Sequence, residues 1–152
     1  MRIVVGCLIV VAATVAVAQT SQDLRSRYGD PEVERFSARP GVGLTVEYGS
    51  DRLACQILIQ PPEHILSSQE QEARFMASET VTDILDEVVP LATRGKKNYE
   101  FHKVSGCNAI DGTEYENVRI TRSIHTCLPL KPEREVRATV IFKRDTCRSQ
   151  TN

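Results

Sequence analysis

Four cysteines that follow an apolar leader constrain the fold of this chain more than any other feature. The leader begins with Arg2, continues as an almost unbroken apolar run over residues 3–18, and ends in small residues before a polar string. This pattern is typical of a secretory signal peptide, so we expect residues 1–18 to be removed after Ala18. An uncleaved anchor would need ~20 apolar residues, more than this run supplies, so no stable membrane span is expected after cleavage. The predicted location is therefore the periplasm or the extracellular space.

The mature chain keeps four cysteines, an even count that in a short exported protein predicts two disulfide bonds. Successive cysteines are 52, 20 and 20 residues apart, and no C-x-x-C pair is present. Structural zinc sites usually draw their ligands from such close pairs, so we favour disulfides over a metal. The sequence predicts no cofactor.

The pairing of the cysteines depends on where the strands turn. Residues 113–125 and 134–145 both have the character of long strands, and together they predict one hairpin. Cys127 would then lie at the turn end, some ~40 Å from the open end of the hairpin. A disulfide joins Cα atoms less than ~7 Å apart. The predicted bridges are therefore Cys107–Cys147 and Cys55–Cys127.

The clearest local prediction is a hairpin in the first half of the chain. Residues 44–48 and 53–59 alternate between apolar and polar side chains, the period of a half-buried strand. Gly49-Ser50-Asp51 supplies the turn between them. Pro61-Pro62 should end the second strand, since proline cannot donate to a sheet.

An amphipathic helix is predicted after Ser78. Val81, Ile84, Leu85 and Val88 follow the i, i+3, i+4, i+7 spacing of one apolar helix face. Pro90 should stop the helix near residue 89.

These elements predict an α+β domain, with an antiparallel sheet of about five strands, one amphipathic helix packed on one face, and disulfide stabilisation. The alternative is an all-β sandwich, which would require the helix to be absent. We expect residues 19–30 to form a flexible leader and residues 31–152 to form a single domain. Residues 33–36 fit either a short strand or a helical turn.

No catalytic constellation is apparent in the sequence. The three histidines, His64, His102 and His125, lack the one-turn spacing of helical metal ligands. The chain has no G-x-S-x-G elbow, Walker A loop or G-x-G-x-x-G loop. The sequence therefore favours a non-catalytic role.

The charge distribution suggests a binding surface. Residues 19–93 carry 6 basic and 13 acidic groups, whereas residues 94–152 carry 12 basic and 7 acidic groups. If Val118 and Ile120 face the core, then Arg119, Arg137 and Lys143 share the other face and could bind an anionic group. The simpler interpretation is that these residues pair with the acidic half of the chain.

The leading functional hypothesis is an exported non-catalytic domain that binds an envelope or extracellular protein, or an anionic glycan. Nucleic acid is not an expected partner, because export separates the chain from it and no stacking aromatic pattern accompanies the basic residues. The alternatives are a small secreted hydrolase whose residues converge only in the fold, and a secreted inhibitor. An inhibitor would need a rigid exposed loop, for which the segment Pro129-Leu130-Lys131-Pro132 is the candidate.

Overall fold

The computed structural model describes residues 21–66, 74–127 and 134–150. The predicted signal peptide and the candidate inhibitor loop, residues 129–132, lie outside these ranges. Contacts divide the chain into two units, Met1–Pro31 and Glu32–Asn152. In the first unit, the segment expected to be a flexible leader carries helix α1 (Ser21–Tyr28), and the Gly29 amide donates to the Arg25 carbonyl at its end.

The second unit is built mainly of antiparallel strands with a few short helices. Its elements in chain order are β1 (Val33–Arg39), β2 (Val42–Tyr48), β3 (Ala54–Gln60), α2 (Glu63–Leu66), β4 (Met76–Ala77), α3 (Ser78–Val88), α4 (Leu91–Arg94), β5 (Lys97–Ser105), β6 (Asn108–Tyr115), β7 (Val118–His125), β8 (Arg134–Phe142) and a 3₁₀ helix (Asp145–Gln150).

All eight strands belong to one sheet with the order β1-β2-β3-β8-β7-β6-β5, and the two-residue β4 also pairs with β8. Two meanders, β1–β3 and β5–β8, meet where β3 runs antiparallel to β8. The predicted count of about five strands is too low. The two-residue β4 and the largely polar β5 have no sustained alternating apolar pattern, and β6 and β7 together resemble one long strand in sequence. Strands contain many more residues than the short helices, so an all-β description also fits.

The predicted hairpin is formed by β2 and β3. Leu44 lies opposite Ile59, and Val46 lies opposite Ile57, so the apolar positions of the two runs share one face. Pro61 follows directly after β3. Residues 33–36, for which the sequence allowed either a short strand or a helical turn, belong to the strand β1.

Helix α3 covers one face of the sheet, and its buried side chains form part of the hydrophobic core. Val81, Ile84 and Leu85 are buried, as the amphipathic pattern predicts. They pack against apolar residues of four strands: Val42 and Val46 of β2, Ile57 and Ile59 of β3, Ala138 and Val140 of β8, and Val118 and Ile120 of β7. Burying each such aliphatic side chain stabilises the fold by about 1.5–3 kcal/mol.

The C-terminal end of α3 is closed by a buried arginine rather than by glycine. The helix ends at Val88, two residues before Pro90. Arg94 Nε donates to the Val89 carbonyl at 2.8 Å, and its Nη2 lies 2.5 Å from an Asp86 carboxylate oxygen. The guanidinium thus satisfies carbonyl groups that a helix end leaves free, and its charge opposes the negative end of the helix dipole.

Both disulfides are present, but the predicted pairing was wrong. Cys55 is bonded to Cys147, and Cys107 is bonded to Cys127, with Cα atoms 5.3 and 4.8 Å apart. The error came from treating residues 113–125 as one strand. The chain reverses between Tyr115 and Val118, so the β6–β7 hairpin brings residues 107 and 127 together at its open end.

Candidate functional site

The sheet has a second face that α3 does not cover, and we call it the open face. Cross-strand register places Phe101, Gly112 and Thr121 side by side on β5, β6 and β7 of this face. The same row continues through Thr139 on β8 and Leu58 on β3. The central row of the open face is therefore a mixture of aromatic, aliphatic and hydroxyl side chains.

Several large apolar side chains of the open face are exposed. Tyr99 is 52% exposed, Ile110 is 42% exposed and Ile141 is 39% exposed. These residues flank the central row, since Tyr99 precedes Phe101 by two positions on β5 and Ile110 precedes Gly112 by two positions on β6. Exposed apolar surface on a folded domain often marks an interaction site.

The aromatic part of the open face depends on a glycine. A Cβ atom at Gly112 would overlap the Phe101 ring, so only glycine allows this ring to lie flat against the neighbouring strand. The Tyr99 ring centroid is 6.4 Å from that of Phe101, and Lys103 Nζ lies 5.8 Å from the Phe101 ring. The two rings and the ammonium group form one continuous surface at the β5 side of the sheet.

A buried carboxylate organises the basic residues beside the aromatic pair. Glu114 is only 7% exposed, and Arg119 Nε donates to one of its oxygens at 2.5 Å. Lys143 Nζ lies 2.6 Å from the other oxygen and also donates to the Tyr115 carbonyl. The hydrogen bond from Arg119, reinforced by Lys143, holds the pKa of Glu114 below its usual range despite the opposing effect of burial.

The three residues proposed for anion binding therefore do not form one cationic patch. Arg119 and Lys143 share Glu114 as their counter-ion. Arg137 is on the same face as Arg119. It lies on β8 four residues before Ile141, the cross-strand partner of Arg119, which is about 13 Å along the strand. Glu114 thus balances one of the three positive charges and holds two of the three side chains in place.

The structure also contains a buried ion pair on the helix-covered face. Glu135 is fully buried, and Arg122 Nε donates to its two oxygens at 3.0 and 3.1 Å. Arg122 Nη2 additionally donates to the Ser78 carbonyl at the start of α3, at 3.1 Å. No sequence pattern indicated this pair, because a bulge between Ser123 and Ile124 shifts the register of β8 and turns Glu135 toward the core.

The three histidines lie in separate environments. His102 Nδ1 is hydrogen-bonded to Asp111, its cross-strand neighbour, and both side chains are solvent-exposed. The His125 ring centroid is 5.2 Å from that of Phe75. His64 lines a groove elsewhere on the molecule. Within the described ranges, no group of three or more histidine, cysteine, aspartate or glutamate side chains could hold a metal ion.

The groove beside His64 has a volume of about 470 Å³ and lies between β1, β2, the end of β3 and α2. Its lining combines the apolar residues Phe36, Leu44, Pro61 and Pro62 with polar residues that include Glu63 and His64. Arg35 forms an exposed ion pair with Glu63 at 3.1 Å. His102 and His125 do not line it, so the groove holds one of the three histidines, His64, together with the carboxylate of Glu63.

No protein-family model, curated protein or solved structure matched this chain. Over the described parts of the chain, none of the helices has the length and apolar character required to cross a bilayer.

Proposed function

We propose that this chain is an exported, non-catalytic domain that binds a protein partner through the open face of its sheet. The observation that carries this proposal is the set of exposed apolar side chains Tyr99, Ile110 and Ile141 around the Phe101–Gly112 contact. Aromatic residues and arginine are enriched at protein interfaces, and on this face Arg119 and its partner Glu114 lie between Tyr99 and Ile141 in the cross-strand register. Anionic glycan is the less favoured partner, because Arg119 and Lys143 are already engaged by the Glu114 carboxylate.

Export is supported by the leader sequence together with two disulfides, since such bonds persist mainly in oxidising compartments. Mass spectrometry of the native protein, with and without reduction, tests this part of the proposal. We expect a chain that begins at Gln19 and gains thiols at all four remaining cysteines only after reduction. A native chain that retains its leader and has free thiols would contradict export.

The binding surface can be tested with charge insertions that leave the core untouched. The double variant Ile110→Glu and Ile141→Glu places two carboxylates on the open face, and both side chains are exposed in the folded chain. Leu91→Glu is the control for introducing a carboxylate at an exposed apolar position, because Leu91 is 68% exposed but lies on α4 rather than on the sheet. Each exposed substitution should change the free energy of unfolding by no more than about 0.5 kcal/mol.

Immobilised mature protein would be exposed to the native exported fraction, and retained species identified by mass spectrometry. We expect one protein species to be retained by the wild type and by Leu91→Glu and lost from the double variant. Equal retention by all three proteins would exclude the open face. A retained glycan with no protein would exclude the protein partner, and retention of nothing would count against a binding role.

A further inference from the structure

The strand β5 forms one edge of the sheet, and most of its length pairs with β6 in a regular register. It pairs only with β6 among the described strands, and its register runs without interruption from Tyr99 to Ser105. Its one irregularity is confined to the start, between Lys97 and Tyr99. The opposite edge strand, β1, is interrupted near its end by a shift between Ser37 and Arg39.

The hairpin between β5 and β6 determines which backbone groups of β5 point away from the sheet. Ser105 and Asn108 are joined by the two-residue turn Gly106-Cys107, in which Gly106 has a φ of +57°. The residues that flank such a turn hydrogen-bond to each other, and the direction of the backbone groups then alternates along the strand. The N–H and C=O groups of residues 100, 102 and 104 therefore face outward, free of β6.

An exposed strand edge of this kind can pair with another strand, and a second copy of β5 is complementary to it. In an antiparallel pair, side chains that lie directly opposite each other point to the same face of the sheet. When the two strands are identical and related by a twofold axis, the axis must therefore pass through one residue position, which lies opposite its own copy. With Phe101 at the centre, Glu100 of each copy lies opposite His102 of the other, and Tyr99 lies opposite Lys103. A carboxylate–imidazole pair and a ring–ammonium pair then each occur twice across the contact.

The neighbouring registers lack the carboxylate–imidazole pair. Centring on Glu100 places two carboxylates opposite each other and brings Lys97 toward Lys103. Centring on His102 keeps a ring–ammonium pair, because Phe101 then lies opposite Lys103. It places Glu100 opposite Val104, however, so the carboxylate has no partner in the second chain.

The register centred on Phe101 also agrees with the hydrogen bonds within one chain. Asp111 contacts His102 Nδ1, and in the imidazolium form, in which both ring nitrogens carry a hydrogen, Nε2 can donate to the carboxylate of a second chain. Glu100 accepts one hydrogen bond from Lys97 at 2.9 Å, and a carboxylate has further lone pairs that can accept the imidazole N–H. Both members of the cross-chain pair can therefore keep their present partners.

We propose that this protein forms a twofold dimer by antiparallel pairing of two β5 strands in the register centred on Phe101. The dimer continues the sheet across both copies and places their two open faces on the same side. The proposal concerns the edge of the sheet and is independent of what binds to the open face.

Sedimentation equilibrium of the oxidised mature protein, over a range of concentrations, tests this proposal. Glu100→Lys places a lysine opposite His102 in both halves of a dimer, and His102→Glu places two glutamates opposite each other. Each variant alone is expected to weaken dimerisation about tenfold or more. Glu79→Lys, an equal charge change at an exposed position on α3, is expected to leave it unchanged.

Mixing the two variants provides a test that is specific to the register. A mixed dimer pairs the introduced lysine with the introduced glutamate on one side and the native Glu100 with the native His102 on the other. The mixture should therefore dimerise more tightly than either variant by itself. A wild type that stays monomeric up to about 1 mM, where weak association is detectable, would overturn the proposal. Dimerisation that is equal in the wild type and both single variants would place the contact elsewhere and also overturn it.

Discussion

The buried carboxylate of Glu114 shows how single residues determine the charge of the open face. It accepts a hydrogen bond from Arg119 at 2.5 Å and lies 2.6 Å from Lys143 Nζ, so two cations converge on one anion. Loss of the anion would leave both cations without their counter-ion at the sheet surface. The role of Glu114 is therefore to fix these side chains and to limit the positive charge that the face presents.

Glu114 makes the stability of the domain depend on pH in a defined direction. The pKa of Glu114 in the folded chain is lowered. The unfolded chain therefore binds more protons than the folded chain once the pH falls below the ordinary glutamate pKa of about 4.3. The stabilisation is complete above that pH and is lost as the pH falls through the lowered pKa. We expect Glu114→Gln to unfold more easily than the wild type at pH 6, by about 1 kcal/mol, and the difference to shrink toward pH 3.

Urea unfolding at several pH values measures this difference. Glu116→Gln is the control, because Glu116 is an exposed carboxylate in the turn next to β6, and it should show no comparable change with pH. A gap between wild type and Glu114→Gln that stays constant from pH 6 to pH 3 would show that the ionised carboxylate is not the source of the stabilisation.

The contrast between Arg119 and Arg122 shows what the sequence reveals about single residues. The alternation of β7 correctly placed Arg119 outward, because Val118 and Ile120 are buried. Arg122 shares the face of Val118 and Ile120, and alternation alone does not reveal which group a charged side chain contacts there. Its partner, Glu135, reaches the core through a shift of register between two strands, and no local pattern in β8 records such a shift.

At the scale of elements, the end of α3 depends on one side chain of the next helix, α4. Arg94 is buried and contacts the Val89 carbonyl and the Asp86 carboxylate. Arg94→Met keeps much of the apolar stem but removes these hydrogen bonds, and we expect it to lower the free energy of unfolding by about 2 kcal/mol.

Arg39→Met is the matched control for this prediction. Arg39 also contacts α3, through an ion pair with Glu87, but that pair is exposed at the surface. Exposed pairs contribute about 0–1 kcal/mol, so Arg39→Met should cost less than Arg94→Met in urea unfolding. Equal losses for the two variants would mean that burial of the helix end contributes nothing.

Elements with a strong local period could be predicted, and elements whose limits depend on a turn could not. The 3.6-residue period identified α3, and Pro90 predicted its end to within one residue of the observed Val88. By contrast, the turn at Glu116-Asn117 contains neither glycine nor proline, so β6 and β7 resembled one strand. That missed turn also produced the wrong disulfide pairing and hid the Glu114–Arg119 contact, which spans the same hairpin.

At the scale of the whole second unit, the two disulfides secure different parts of the sheet. Cys107–Cys127 closes the open end of one hairpin, whose strands are already neighbours in sequence. Cys55–Cys147 joins the start of β3 to the 3₁₀ helix that follows β8, across 92 residues. The longer connection links the first meander to the end of the second, so its removal should affect the entire sheet.

This difference predicts unequal losses of stability. Replacing Cys55 and Cys147 with alanine should lower the free energy of unfolding by about 1.4 kcal/mol more than replacing Cys107 and Cys127, because the unfolded chain regains a loop of 92 rather than 20 residues. Burial of Cys55 acts in the same direction, since alanine leaves a cavity there. Urea unfolding of the two double variants measures the difference, and peptide mapping confirms which bridge each one retains. If removal of the short bridge costs as much or more, closure of the long loop is not what the Cys55–Cys147 bond contributes.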